Sequence, residues 1–109
     1  MMKKLIVLTG LLLWGNLSHA GSGVGKVKHL MVHEGDVVMF STGPRTEMAE
    51  CSTVGDDWML SIATEKGKAM YAMLLASAAQ GLTVSVQGHG ACNVWPGRES
   101  VKFMSVVYP

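Results

Sequence analysis

The hydrophobic pattern divides the chain into one solid apolar run, five strand-like segments and one helix. Leu5 to Trp14 is apolar except at Thr9 and Gly10. From Val24 to Val32 the period becomes two, with Val27, His29 and Met31 on one face and Lys26, Lys28 and Leu30 on the other. His33-Glu34-Gly35-Asp36 supplies turn chemistry before Val37 to Phe40, so these two strands read as a hairpin. Trp58, Leu60 and Ile62 alternate with Met59 and Ser61, which predicts a half-buried third strand. Leu82, Val84 and Val86 alternate with Thr83, Ser85 and Gln87 in a fourth. Val101 to Tyr108 gives a fifth, with Val101, Phe103 and Val107 on one face.

One segment has helical periodicity. Met70, Met73, Leu74 and Ser77 recur at i, i+3, i+4 and i+7, and Leu75 and Ala78 widen the stripe. Thr64 is placed to cap the N-terminus, Glu65 complements the dipole there, and Gly81 is suited to the left-handed residue that ends a helix. The expected helix therefore runs from Glu65 to Gln80. Such a Met and Leu stripe is expected to face a core rather than a cofactor. Three segments lack periodicity. Gly21 to Gly25 reads as a flexible lead. Thr42 to Asp57 is a long connection holding Cys51, and Gly88 to Gly97 is a loop holding Cys92, Trp95 and Pro96.

The resulting order is strand, strand, strand, helix, strand, strand. It predicts a mainly β domain with one helix, a five-stranded Greek-key barrel of the OB type whose helix plugs one end. The alternative is an α+β fold, an open antiparallel sheet with the helix on one face.

The apolar run changes the picture of where the protein works. Lys3 and Lys4 precede it, and Ser18-His19-Ala20 puts small residues at the −3 and −1 positions before Gly21. That is the layout of a secretory signal peptide, expected to span residues 1–20, with residues 21–109 as one domain. The ten-residue run from Leu5 to Trp14 falls short of the ~20 a spanning helix needs. Losing Lys3 and Lys4 with the signal reduces nine Lys and Arg to seven, against eight Asp and Glu, a formal charge of −1. A near-neutral chain lacks the electrostatic footprint of a nucleic-acid binder, and no membrane insertion is expected after cleavage. In the oxidising periplasm or outside the cell, Cys51 and Cys92 are expected to pair. In the chain-entropy account that bridge stabilises by roughly 4 kcal/mol, a large term for a small core.

Candidate chemistry is sparse. His29 and His33 on one strand lie ~13 Å apart, too far to share a metal ion. No metal, cofactor or catalytic residue is expected, because no nucleophile, zinc or phosphate-loop motif is present. Asp56-Asp57 reads as turn or cap chemistry. The candidate ligand residues are His89, Asn93, Trp95 and Arg98. Gly88, Gly90 and Gly97 leave backbone amides approachable there, Trp95 offers a flat apolar face, and Asn93 and Arg98 offer directional hydrogen bonds. The competing expectation is that Trp95 covers the disulfide and closes one end of the fold.

Gly67-Lys68-Ala69-Met70, the alanine-rich helix to Gly81, and Gly88-His89-Gly90-Ala91-Cys92 with Trp95 resemble a group of small exported proteins of Gram-negative bacteria without assigned function. The element order with one disulfide is also similar to the OB-fold receptor-binding subunits of pentameric bacterial toxins. No glycan-contacting residue of those subunits matches a position here, and a fold does not imply an activity. The leading expectation is a periplasmic or secreted, non-enzymatic binding module recognising a glycan or protein through loops at one end of the barrel. A homo-oligomer would suit weak sugar sites. The alternatives are a periplasmic assembly or inhibitor protein without a small ligand, and a hydrolase of unrecognised type.

Overall fold

The computed structural model describes residues 19–109. The apolar run and most of the expected signal therefore lie outside the described residues. Six strands and one helix follow in the order β1 (Ser22–Lys26), β2 (His29–His33), β3 (Val37–Ser41), β4 (Trp58–Ser61), α1 (Glu65–Gln80), β5 (Thr83–Gly88) and β6 (Glu99–Val107). The strands form one sheet in the order β1-β5-β6-β4-β3-β2. All pairings are antiparallel except that of β4 with β6, which is parallel.

Among the described residues the fold is mainly β with one helix, as expected, but it is a six-stranded mixed open sheet and not a five-stranded closed barrel. The expected first strand breaks at Val27-Lys28, and its two pieces pair with different partners. β1 takes β5, whereas β2 takes β3. The two edge strands of the sheet are therefore joined by two residues, so the sheet must curve strongly to bring those edges to one corner. Lys28 N–H donates to the Ser41 carbonyl at 2.8 Å and pins that corner to β3. The glycine lead is not a flexible tail but an ordered part of β1, with Gly21 and Gly23 buried. A side chain at Gly25 would run into the backbone carbonyl of Thr42, so β1 lies flat on that segment.

One core fills the concave side of the sheet, built from Val38, Phe40, Trp58, Leu60, Val84 and Val86 with Leu74 of α1. Met70, Met73 and Tyr71 pack on it from the helix. The caps act as the sequence indicates. Thr64 Oγ1 accepts from Gly67 N–H at 3.0 Å, and Gly81 takes φ +64°. Leu75, expected to widen the buried stripe, is exposed, so that stripe is narrower than its composition suggests. A second, smaller cluster lies on the other side of the sheet: Val37, Met39 and Met59, covered by Val94 and Trp95. β4 is accordingly buried on both faces along Trp58, Met59 and Leu60 rather than half-buried.

The alternation in β6 is broken once. Gln87 pairs with Phe103 but Gly88 pairs with Val101, so Lys102 is an extra residue. Such a bulge moves every following side chain to the opposite face. Val101 and Met104 therefore both point into the core, while Phe103 and Val107, expected beside Val101, are exposed.

Candidate functional site

The four candidate ligand residues separate into two places. His89 and Asn93 are exposed and line a cleft of about 190 Å³ between the loop after β5 and the first turn of α1. The loop is held by its own hydrogen bonds. His89 N–H donates to the Ser100 carbonyl at 3.0 Å, Ser100 Oγ donates to Asn93 Oδ1 at 2.6 Å, and Val94 N–H donates to Ser100 Oγ at 3.3 Å. Ser61, Thr64 and Lys66 form the opposite wall, with Lys102 beside them. The bulge that puts Lys102 out of alternation is what adds its ammonium to this rim.

Trp95 does not line the cleft. It is half-buried over Met39 and Met59, with its ring 4.7 Å from that of His33 in an edge-on arrangement. Arg98 is turned back beside it: its N–H donates to the Trp95 carbonyl at 3.4 Å and its Nε lies 3.3 Å from Asp57 Oδ2. Asp57 also faces His29 at 3.7 Å. Trp95 and Arg98 thus close the convex side of β2, β3 and β4. The Cys51–Cys92 disulfide ties their segment to the 42–57 connection.

The cleft has a definite electrostatic sign. Its walls carry Lys66, Lys102 and His89 and no carboxylate, although the domain as a whole is near neutral. The Ser61 and Thr64 hydroxyls accept from the Ala63 and Gly67 amides at the entry to α1. The arrangement offers amide, imidazole and ammonium donors above an apolar floor of Met59, Met70 and Val101. Among the described residues, no three His, Cys, Asp or Glu come together as a metal site would require.

A second polar feature lies inside the fold, where sequence reasoning singled out nothing. Glu99 and Arg45 form an ion pair whose side chains are both fully buried. The Glu99 carboxylate accepts on all sides: Oε1 from Arg45 Nη2 at 2.5 Å and Ala49 N–H at 3.2 Å, Oε2 from Gly21 N–H at 2.8 Å and Gly90 N–H at 3.0 Å. The Arg45 guanidinium lies flat on Trp58, its carbon 3.6 Å from the ring centroid. Burial alone would raise the Glu99 pKa. The amides of Gly21 and Gly90, Arg45 and the Ala49 amide outweigh it and hold the carboxyl below its ordinary value. The sequence held a faint signal for this pair. Glu99 has the parity of Val101, the inward parity ahead of the bulge, so a carboxylate there faces the core and needs a partner.

Comparison of the chain with protein-family models, with curated proteins and with solved structures finds no match.

Proposed function

We propose that the chain is an exported, non-enzymatic binding module of OB-like form, released by cleavage between Ala20 and Gly21, that takes an acidic sugar residue in the cleft between His89, Asn93 and α1. The observation that carries the reading is the lining of that cleft. Two lysines and a histidine converge from three elements around a small apolar floor, with no carboxylate among them. About 190 Å³ is small beside the ~300 Å³ and more of drug-sized pockets, and suits one ring rather than a chain of them. The OB-like part of the proposal draws on the strand order, in which β1 and β2 act as two pieces of one first strand.

The test is a glycan array with the oxidised protein beginning at Gly21, run beside its solution mass. Uronate- or sialate-bearing glycans should be retained, and Lys66→Gln with Lys102→Gln should weaken retention at least about tenfold, about 1.4 kcal/mol. Retention of neutral and acidic glycans alike, or of none, overturns the reading.

A second reading, an assembly partner or inhibitor without a small ligand, is favoured by a different observation. Val24, Phe103 and Val107 are exposed together on the convex side of β1, β5 and β6, where Gln87 pairs with Phe103 and Thr83 with Val107. A tight one-to-one partner recovered with the protein, and lost on Phe103→Ser, would favour it.

A further inference from the structure

Glu99 is more elaborately satisfied than a structural carboxylate on one ion pair needs to be. Arg45 neutralises it from the Oε1 side, yet its Oε2 side is turned to the backbone nitrogen of Gly21, 2.8 Å away and buried. The chain leaves this spot directly for solvent: His19 is exposed and meets Glu47 at 3.5 Å. Gly21 itself is fixed on both flanks. Ser22 N–H donates to the Glu47 carbonyl at 3.1 Å, and Gly88 N–H donates to the Gly21 carbonyl at 2.9 Å. No side chain fits at Gly21. A Cβ there would strike Arg45 Nη2 and Glu99 Oε1 and approach the Glu47 carbonyl at 2.8 Å. Gly88 is under the same constraint, since a Cβ there would strike Glu99 Oε2.

We infer that the buried Glu99 carboxylate, with the pocket formed by Gly88, Gly90 and Ala49, is the binding site for the chain's own mature amino terminus, Gly21. The inference rests on the proposed cleavage after Ala20. Hydrolysis of the Ala20–Gly21 bond gives the hydroxyl of water to the Ala20 carbonyl and leaves the Gly21 nitrogen, protonated, as an ammonium. When the processed chain folds, the 2.8 Å amide contact, already charge-assisted by the carboxylate, becomes an ion pair between that ammonium and Glu99 Oε2. The carboxylate then holds one cation on each oxygen, Arg45 on Oε1 and the amino terminus on Oε2. Export processing thus supplies the charge that fixes the start of β1 on Glu99, the first residue of β6.

The charged groups facing the Gly21 nitrogen are few. β6 supplies Glu99, and the 42–57 connection supplies Arg45 and only the backbone carbonyl of Glu47. β5 and its following loop supply the uncharged Gly88 and Gly90. Glu99 is the nearest and favours the charged amine, while Arg45 on the other carboxylate oxygen and burial oppose it. The contribution of this ion pair needs the charged amine and is lost where rising pH deprotonates it.

The experiment compares two oxidised proteins released by a site-specific protease, one beginning at Gly21 and one carrying the single extra residue Ala20. At pH 6 the Gly21 form should melt about 4–8 °C higher, with the gap closing toward pH 10. Its amino terminus should react with an acylating reagent at least about tenfold more slowly than that of the Ala20 form at neutral pH. Equal melting temperatures across the pH range, or equal acylation rates, overturn the inference. This pair of proteins tests the pocket independently of the cell. An exported protein whose first residue is not Gly21 instead overturns the cleavage reading, and with it any natural use of the pocket.

Discussion

The two halves of the sheet bury their surfaces differently. In the half made of β2, β3 and β4, every side chain of β3 is buried. The concave side meets the main core, and the convex side carries Met39 and Met59 under Val94 and Trp95. In the half made of β1, β5 and β6, only the concave side is covered, and Val24, Phe103 and Val107 stand exposed on the other. Strand composition follows the same division: β3 and β4 are nearly continuous apolar runs, whereas β5 alternates Val84 and Val86 with Thr83, Ser85 and Gln87. The cover of the first half comes from the 89–98 loop, whose Val94 and Trp95 pack on it and which Cys51–Cys92 ties to the 42–57 connection. A cystine can thus add a third layer to half of a small sheet and leave the other half as surface.

The halves meet along only two residue pairs, Trp58 with Glu99 and Met59 with Ser100. Glu99 sits at that seam and gathers Gly21 just ahead of β1, Arg45 and Ala49 from the 42–57 connection, and Gly90 from the loop after β5. Glu99→Gln should therefore give the largest effect of the changes considered, about 3–5 kcal/mol, because it leaves the Arg45 charge buried and unpaired. Denaturant unfolding of wild type and variant measures it. The wild type should carry the matching pH signature. The Glu99 pKa is lower in the folded state, so its contribution is present above the ordinary value of 4.5 and is lost as pH falls below that into the folded pKa. An acid limb in the wild-type stability profile that survives unchanged in Glu99→Gln would dissolve the special role given to the seam.

Next in size is the cross-link. Replacing Cys51 and Cys92 together by serine removes a closure of 41 residues, at a cost of up to about 4 kcal/mol. The comparison of halves sharpens this prediction. Amide exchange should accelerate on β3 and β4, whose cover is released, and much less on β5 and β6. Uniform acceleration would mean that the bridge stabilises only by restricting the unfolded chain.

Local signals in the sequence were sufficient wherever the structure depends on neighbours. The α1 boundaries follow from Thr64 and Gly81, the hairpin of β2 and β3 from its turn residues, and the disulfide from a lone pair of cysteines. What escaped was set at a distance. Nothing local to Val24–Val32 says that its ends pair with different strands, because the break serves β5 and β3, far along the chain. The extra residue at Lys102 is visible only against the register of β5, yet it decides whether Phe103 or Met104 is core. The candidate site was half legible: the glycines around His89 mark a real opening, whereas Trp95 gives no local sign that a methionine face exists beneath it.

Trp95 therefore separates cover from ligand contact. Packed over Met39 and Met59 but only half-buried, it should cost about 2–3 kcal/mol as Trp95→Ala, somewhat less than a fully enclosed tryptophan. Arg98→Ala, which removes a part-buried pair with Asp57, should cost about 1–2 kcal/mol. Glycan retention per folded molecule should be unchanged in both, since neither residue lines the cleft. Trp95→Ala that melts like wild type but no longer binds would move the site from the cleft to the convex face.

The smallest effect is expected on the bare half, and it tells most about what that half is for. Phe103 and Val24 are about half and more exposed, at 52% and 61%, so Phe103→Ser and Val24→Thr remove little buried area. If the face is free in the isolated protein, each should change stability by no more than about 0.5 kcal/mol, the ordinary range for surface positions. The solution mass should stay the same. A second copy seated on this face predicts otherwise. The apolar area lost at Phe103 would then weaken association, the mass would fall toward that of a single chain, and the melting temperature of the wild type alone would rise with protein concentration. Measuring mass and melting temperature together, at two concentrations, distinguishes a bare sheet face from one that is covered only in company.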